Sequence, residues 1–130
     1  MNRYRDWLEQ SERDMKKARL DSTHEYHEWA CFTAQQAAEK AVKALFMKMN
    51  KTVRGHSIYK FLEAIASDMK IDQDILHYAR VLDRYYIESR YPNGFPSGRP
   101  MDFFDSKIAE EAVDAAGRII GFCKDTISRL

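Results

Sequence analysis

Basic and aromatic side chains are concentrated between residues 77 and 99 of the 130-residue chain. They are His77, Tyr78, Arg80, Arg84, Tyr85, Tyr86, Arg90, Tyr91 and Arg99. Residues three or four apart share one face of a helix, so His77, Arg80 and Arg84 are expected to lie together. Two guanidiniums at that spacing repel each other, and an anion between them would account for the arrangement. Neighbouring tyrosines are suited to stacking on a base, so this stretch predicts a nucleotide or RNA site.

The same stretch also has a structural interpretation. Arg80 could pair with an acid elsewhere in the chain, Arg84 could pair with Glu88, and the tyrosines could belong to the core and its rim. Composition and spacing alone do not choose between the two interpretations.

A second basic patch, Lys51, Arg54 and His56, comes just before a predicted helix. Free N–H groups at a helix N-terminus attract anions, which makes Arg54 and His56 further candidates for phosphate binding. In the structural alternative, Gly55 makes a turn, and His56 caps the helix or packs beneath it.

Other chemical signatures are weak or missing. His24 and His27 are three residues apart with no evident third ligand, which indicates surface histidines rather than a metal site. Glycine-rich phosphate loops and the common hydrolase, metalloprotease and calcium-loop patterns do not occur, so we expect no cofactor and no metal. Two cysteines, Cys31 and Cys123, are too few for a disulfide framework and indicate buried thiols.

Size and charge point to one globular domain over residues 1–130. The net charge of +1 excludes a global field that would draw the chain to nucleic acid or membranes, so any polyanion site must be local. No apolar run approaches the roughly 20 residues that a membrane span needs. The charged N-terminus is unlike a signal peptide, so we expect a cytoplasmic protein without membrane contact.

The elements that position these residues are predicted to be helices, because apolar residues recur every three to four positions. Pro92, Pro96 and Pro100 punctuate a loop over Tyr91–Met101, and no strand pattern occurs. The first predicted helix is Arg3–Leu20, and the second is Glu25–Met49, with Asp21-Ser22-Thr23 as its N-terminal cap. The third begins after a Ser57 cap, and the fourth runs from an Asp72 cap to Arg90. The fifth begins at Asp105 or Ser106. Short links between such helices predict an all-α, antiparallel up-and-down bundle of four to five helices, with the wide apolar second helix at its centre.

Four segments, in order, resemble the HEPN family (higher eukaryotes and prokaryotes nucleotide-binding domain). They are Arg5–Asp14, Glu28–Leu45, Gly55-His-Ser57 and Ala79–Pro92. The resemblance implies a helical bundle of four or five helices that is usually a homodimer. It also implies that the partner is often a minimal nucleotidyltransferase, in a pair of toxin–antitoxin type.

Ribonuclease members of that family carry an arginine followed four to six residues later by a histidine, and they cleave RNA without metal. Here no histidine follows Arg80, Arg84, Arg90 or Arg99 at that spacing. The one literal match, Arg19 to His24, lies between the first two helices and is interpreted as coincidence.

The leading hypothesis is therefore a homodimeric protein that binds nucleotide or RNA and to which no catalytic residue is assigned. The candidate binding residues are Arg54, His56, His77, Arg80, Arg84, Tyr85, Arg90 and Tyr91. In one alternative, the protein is a metal-independent ribonuclease in which His56 or His77 acts beside Arg80 or Arg84. In another, it is an interaction module that dimerises through the second helix and binds an acidic protein partner.

Overall fold

Helices make up the regular secondary structure of the chain. A computed structural model describes all 130 residues. Its elements are α1 (Tyr4–Thr23), α2 (His27–Lys48), α3 (Ile58–Ile65), α4 (Gln73–Asp83), α5 (Tyr85–Glu88), a 3-10 turn (Pro92–Gly94), α6 (Pro100–Phe103) and α7 (Ser106–Ser128). Five of these helices, α1, α2, α3, α4 and α7, have eight or more residues. The predicted all-α bundle is confirmed.

The second helix, α2, lies at the centre of the bundle, as its wide apolar arc predicted. It contacts α1 and α7 along its length and also touches α3, α4, α5 and α6. Six of its alanines are fully buried, and their small side chains let neighbouring backbones approach closely. The closeness is visible at Ser11 of α1, whose hydroxyl donates to the carbonyl oxygen of Ala37 at 2.6 Å.

The link between α1 and α2 differs from the prediction. The first helix continues through Asp21, Ser22 and Thr23, and α2 begins only at His27, so those three residues do not cap it. The Asp21 carboxylate is buried and instead accepts hydrogen bonds from Lys17 and from the Thr33 hydroxyl. Glu25 makes the turn with a φ of 68°, so the predicted start of α2 at that residue is wrong.

The predicted fourth helix is interrupted. Its first part, α4, ends at Asp83, Arg84 lies in between, and the short α5 follows. The two parts pack differently, since α4 lies mainly against α7 and α3 whereas α5 lies against α2. The change of packing partner accounts for the break.

Two predicted caps are confirmed and one is not. The Ser57 hydroxyl accepts from the Lys60 N–H at 3.2 Å, and the Asp105 carboxylate accepts from the Ile108 N–H at 2.9 Å. Asp72 occupies the N-cap position of α4, but its side chain makes no capping hydrogen bond. Both cysteines are buried free thiols, as predicted. None of the helices combines the length and apolarity that crossing a membrane requires.

Candidate nucleotide-binding site

Arg80 and Arg84, which were predicted to share one face of the fourth helix, contact different parts of the protein. The guanidinium carbon of Arg80 lies 4.2 Å from the ring centroid of Tyr59 in α3, and its Nη2 donates to the Tyr59 hydroxyl at 2.8 Å. Arg84 instead borders a cleft between α5, α6 and α7, and it forms no ion pair with Glu88 within 4.0 Å. The structure thus gives Arg80 and Arg84 different neighbours and no shared partner.

Two other predicted residues lie apart from the rest. Tyr85 is only 8% exposed, and its ring packs against Phe104 at 5.7 Å between centroids. Burial also raises the pKa of its hydroxyl. The ring of Tyr85 is thus packed in the core and is not accessible for stacking on a base. His77 is exposed on α4, where its ring lies 5.9 Å from that of Tyr78.

The half-buried Arg90 places its guanidinium close to three aromatic rings. Its carbon lies 4.3 Å from the ring centroid of Phe32, 4.8 Å from that of Tyr86 and 5.0 Å from that of Tyr91. Its Nε donates to the Tyr86 carbonyl oxygen at 2.9 Å. No carboxylate lies within ion-pairing distance, so the terminal nitrogens are oriented but unpaired within the protein.

His56 contacts the same tyrosine as Arg90. Its ring is stacked on Tyr86, with centroids 4.2 Å apart and planes inclined by 16°. Its Nδ1 lies 3.1 and 3.2 Å from the two carboxylate oxygens of Glu39. The Glu39 side chain is only 6% exposed, whereas half of the His56 side chain is open to solvent. The imidazole is therefore fixed at one edge and free at the other.

Glu39 is itself held by neighbours on α2. Lys43 donates to one of its oxygens at 2.9 Å, and Gln35 donates to the other at 3.1 Å. The Gln35 amide also lies within 3.2 Å of the His56 carbonyl oxygen, to which it donates. Charge neutralisation by Lys43 keeps this buried carboxylate from repelling an anion at the surface.

Asp83 fixes the segment that carries His56. Its carboxylate accepts hydrogen bonds from the Ser57 hydroxyl at 2.8 Å, the Ile58 N–H at 2.8 Å and the Tyr59 N–H at 3.2 Å. Burial nevertheless raises the pKa of Asp83, because desolvation outweighs these three contacts. Just before Ser57, Gly55 adopts a φ of +104°, a conformation that favours glycine.

Four aromatic rings lie beside these charges, and we call them the aromatic platform: Trp29, Phe32, Tyr86 and Tyr91. The Trp29 and Phe32 centroids are 6.3 Å apart, and those of Phe32 and Tyr86 are 6.2 Å apart. Trp29 and Tyr91 remain 48% and 47% exposed. An oriented guanidinium beside exposed ring faces provides the contacts that a phosphate and a base require.

Of the residues predicted from the sequence, the structure brings His56, Arg90 and Tyr91 together around Tyr86. Arg54 is exposed two residues before His56 and has no carboxylate partner. His77, Arg80, Arg84 and Tyr85 do not join this site.

Glu39, Phe32 and Trp29 were not predicted as site residues, and Tyr86 was predicted only as one of several tyrosines in the basic stretch. A signal for Glu39 was present, since Gln35, Glu39 and Lys43 recur at four-residue steps within the second helix. No group of three histidine, cysteine or carboxylate side chains is placed to bind a metal ion.

Comparison with known proteins identifies the family that has this arrangement of helices. The family model of the HEPN domain matches residues 4–126. The chain belongs to the HEPN family. The sequence resemblance described above is thereby confirmed over almost the whole domain.

Solved structures agree with the HEPN assignment. TT1696 from Thermus thermophilus is 40% identical in sequence, with 97% of this chain and 99% of that chain covered and a TM-score of 0.93. ST0689, described as an archaeal HEPN homologue, is 39% identical, with 98% and 99% covered and a TM-score of 0.83. A more distant relative, "Putative toxin MJ1304" of Methanocaldococcus jannaschii, is 21% identical over 128 residues, or 92% of this chain and 84% of that protein.

Proposed function

We propose that this HEPN protein binds a nucleotide or a single RNA strand at the aromatic platform, with Arg90 holding a phosphate. The observation that carries the proposal is the guanidinium of Arg90, stacked against three aromatic rings without a carboxylate partner. Orienting an arginine in this way reduces the entropy lost when its remaining N–H groups bind a phosphate.

Neighbouring groups support the same ligand. Trp29, next to Phe32, and Tyr91, next to Arg90, each present about half of their surface to solvent, and each ring is able to stack on a base. Arg54 adds a second positive charge near His56. Because the chain as a whole carries only +1, binding depends on this local cluster rather than on overall charge.

We further propose that the protein is a homodimer that works in a toxin–antitoxin-like pair with a minimal nucleotidyltransferase. The support is the name of the Methanocaldococcus relative, which describes a toxin, together with the family resemblance. Light scattering at micromolar concentration tests the dimer, and co-purification with the nucleotidyltransferase tests the pair. A monomer, or a nucleotidyltransferase that does not bind, would contradict the corresponding part.

The binding proposal is tested with a fluorescein-labelled oligouridylate and the variant Arg90→Ala. Removing a charge-assisted hydrogen-bond donor costs roughly 1.5–3 kcal/mol, so the affinity should fall about 10- to 100-fold. The slope of log affinity against log salt concentration should become shallower by about the contribution of one phosphate contact.

Arg118→Ala is the matched control. Its guanidinium carbon lies 5.9 Å from the single ring of Tyr78, on α7 and away from the platform. We expect less than about a twofold change, the size typical of surface substitutions. Equal losses for the two variants, or no binding by the wild type, would contradict the proposal.

A second candidate function is metal-independent RNA cleavage, favoured by one observation: His56, oriented by Glu39, and Arg90 both contact Tyr86. An oriented histidine can move a hydroxyl proton, and an arginine can stabilise phosphoryl charge. Cleavage in EDTA that is lost in both His56→Ala and Arg90→Ala, but kept in His77→Ala, would establish this function. Absence of cleavage by the wild type would leave binding alone.

A further inference from the structure

The cleft that Arg84 borders is a second cavity, and none of the residues of the aromatic platform lines it. Its volume of about 330 Å³ is near the lower limit for small-molecule pockets, which is roughly 300 Å³. Phe95, Phe103, Phe104 and Ile108 form an apolar wall. The Phe95 and Phe103 rings are stacked with centroids 4.3 Å apart, and Phe104 lies edge-on to Phe95 at 6.5 Å. These ring contacts give the cleft an ordered apolar side.

Tyr85 brings an unused hydrogen-bond donor to this cleft. The residue is only 8% exposed, and its hydroxyl forms no hydrogen bond with another protein group. The hydroxyl is not sealed in the core, because Nδ1 of His27 is the only fully buried side-chain nitrogen or oxygen without a partner. It therefore opens onto the cleft that Tyr85 lines. Since burial raises the pKa of this phenol, the hydroxyl keeps its proton at neutral pH and is able to donate. A polar group in such a position usually has a partner, which a ligand would supply.

Charges of both signs border the cleft around this hydroxyl. Arg84 directly precedes Tyr85, while Glu88 and Glu111 line the cleft from α5 and α7. All three charges act on the Tyr85 hydroxyl, with Arg84 opposing the two carboxylates. None of the three side chains forms an ion pair within 4.0 Å. A guanidinium and two carboxylates are thus left without contact partners at one cavity.

A ligand with a single kind of charge fits this arrangement poorly. A phosphate would be attracted by Arg84 but repelled by both carboxylates. A simple amine would leave the guanidinium and the Tyr85 hydroxyl without an acceptor. A carboxylate and an ammonium on the same carbon, next to an apolar side chain, would pair with both kinds of charge and cover the apolar wall. That combination is found in an α-amino acid.

We infer that this cleft binds a free α-amino acid with an apolar side chain. Arg84 and the Tyr85 hydroxyl hold its carboxylate, and the carboxylates of Glu88 and Glu111 hold its ammonium. The apolar side chain packs on the phenylalanine wall. This site goes beyond the proposed function, because it shares no residue with the nucleotide site.

Calorimetry at pH 7 tests this inference with L-phenylalanine and two analogues that each lack one charge, phenethylamine and 3-phenylpropionate. The wild type should bind L-phenylalanine about 10-fold more tightly than phenethylamine, which has no acceptor for the guanidinium and the hydroxyl. It should bind L-phenylalanine about 5-fold more tightly than 3-phenylpropionate, because ion pairs at an exposed rim are weaker. Equal or tighter binding of either analogue, or no saturable binding of L-phenylalanine, would overturn the inference.

Two variants test the carboxylate partners. Tyr85→Phe removes the hydroxyl but keeps the ring that packs on Phe104, and Arg84→Ala removes the guanidinium. Each should weaken the binding of L-phenylalanine and 3-phenylpropionate about 5-fold and change that of phenethylamine less than about twofold. Arg80→Ala, one helical turn earlier and packed on Tyr59, is the matched control and should change none of the affinities more than about twofold. Equal losses for all three probes in the two variants would indicate a structural role and overturn the inference.

A measurement on the wild type locates the ligand even if a variant does not fold. L-Phenylalanine should give saturable shifts of the methyl NMR signals of Ile108, which lines the cleft. The signals of Ile127, about 28 Å further along α7, should not change. Shifts at Ile127 alone, or no shift at Ile108, would overturn the inference while leaving nucleotide binding at the aromatic platform intact.

Discussion

The carboxylate of Asp83 is expected to stabilise both the fold and the position of His56. Replacing Asp83 with alanine removes the acceptor for the Ser57 hydroxyl and for the N–H groups of Ile58 and Tyr59. Three hydrogen bonds at about 1 kcal/mol each give about 3 kcal/mol. Relief from burying the ionised carboxylate offsets much of this, but alanine also leaves three donors without an acceptor, so we expect a net loss of about 2 kcal/mol. For a domain of this size the melting temperature should fall by about 7 °C.

Thermal unfolding followed by circular dichroism measures this loss, with Asp74→Ala as the control. Asp74 lies in the first turn of the same helix but forms no side-chain hydrogen bond or ion pair. It contributes less than about 1 kcal/mol, through the helix dipole. The nitrogen NMR signals of His56 should change in the Asp83 variant only. Equal losses of thermal stability in the two variants would refute the conclusion that Asp83 holds the N-terminal end of α3 in place.

The pH dependence of stability provides an independent check on Asp83. Burial raises the pKa of Asp83 above its value in the unfolded chain, so the folded state binds the proton more tightly. The contribution of protonated Asp83 to the free energy of unfolding is therefore fully present below the pKa of the unfolded chain, about 3.9. This contribution is lost as pH rises through the higher pKa of the folded state. Relative to Asp83→Asn, the wild type should become less stable as pH rises from 3 towards 7. A wild type that gains stability over that range would contradict this reading.

Two further predictions concern the loop before α6 and the cysteines. A Cβ on Gly98, whose φ is +84°, would lie 3.0 Å from the Phe103 ring, so Gly98→Ala should destabilise the protein by about 1–2 kcal/mol in urea unfolding; an unchanged midpoint would contradict this. Burial raises the pKa of Cys31 to about 12 and also raises that of Cys123, so neither should react with a thiol reagent at pH 8 faster than the chain unfolds. Rapid labelling of the folded protein would show that the Cys31 and Cys123 thiols are accessible to solvent, which would contradict this prediction.

The helical bundle was predictable because its determinants are local. Apolar spacing indicated five helices and the central place of α2, and the chemistry of Ser57 and Asp105 predicted two caps. Errors arose where tertiary contacts override local signals. Asp21 could have capped α2, but its carboxylate is used by Lys17 and Thr33 in the packed structure.

The site was predictable only in part, because it joins residues far apart in the chain. The composition of the second basic patch pointed to His56, and the arginine-rich stretch pointed to Arg90. Their common contact with Tyr86 depends on how α5 packs against α2, which spacing does not reveal. Helical periodicity also placed Arg80 and Arg84 together, whereas in the structure Arg80 contacts Tyr59 of α3 and Arg84 borders the cleft beside α6 and α7.

The most direct test of the proposed site is an NMR titration of the wild type with uridine 3′-monophosphate. The two tryptophans make the comparison internal, since Trp29 belongs to the aromatic platform and Trp7 lies on α1, beside Lys43. The site predicts saturable shifts of the Trp29 indole N–H and the Arg90 Nε–H, with the Trp7 indole unchanged. Saturable shifts of Trp7 alone, or no shifts at any of the three groups, would contradict binding at this platform.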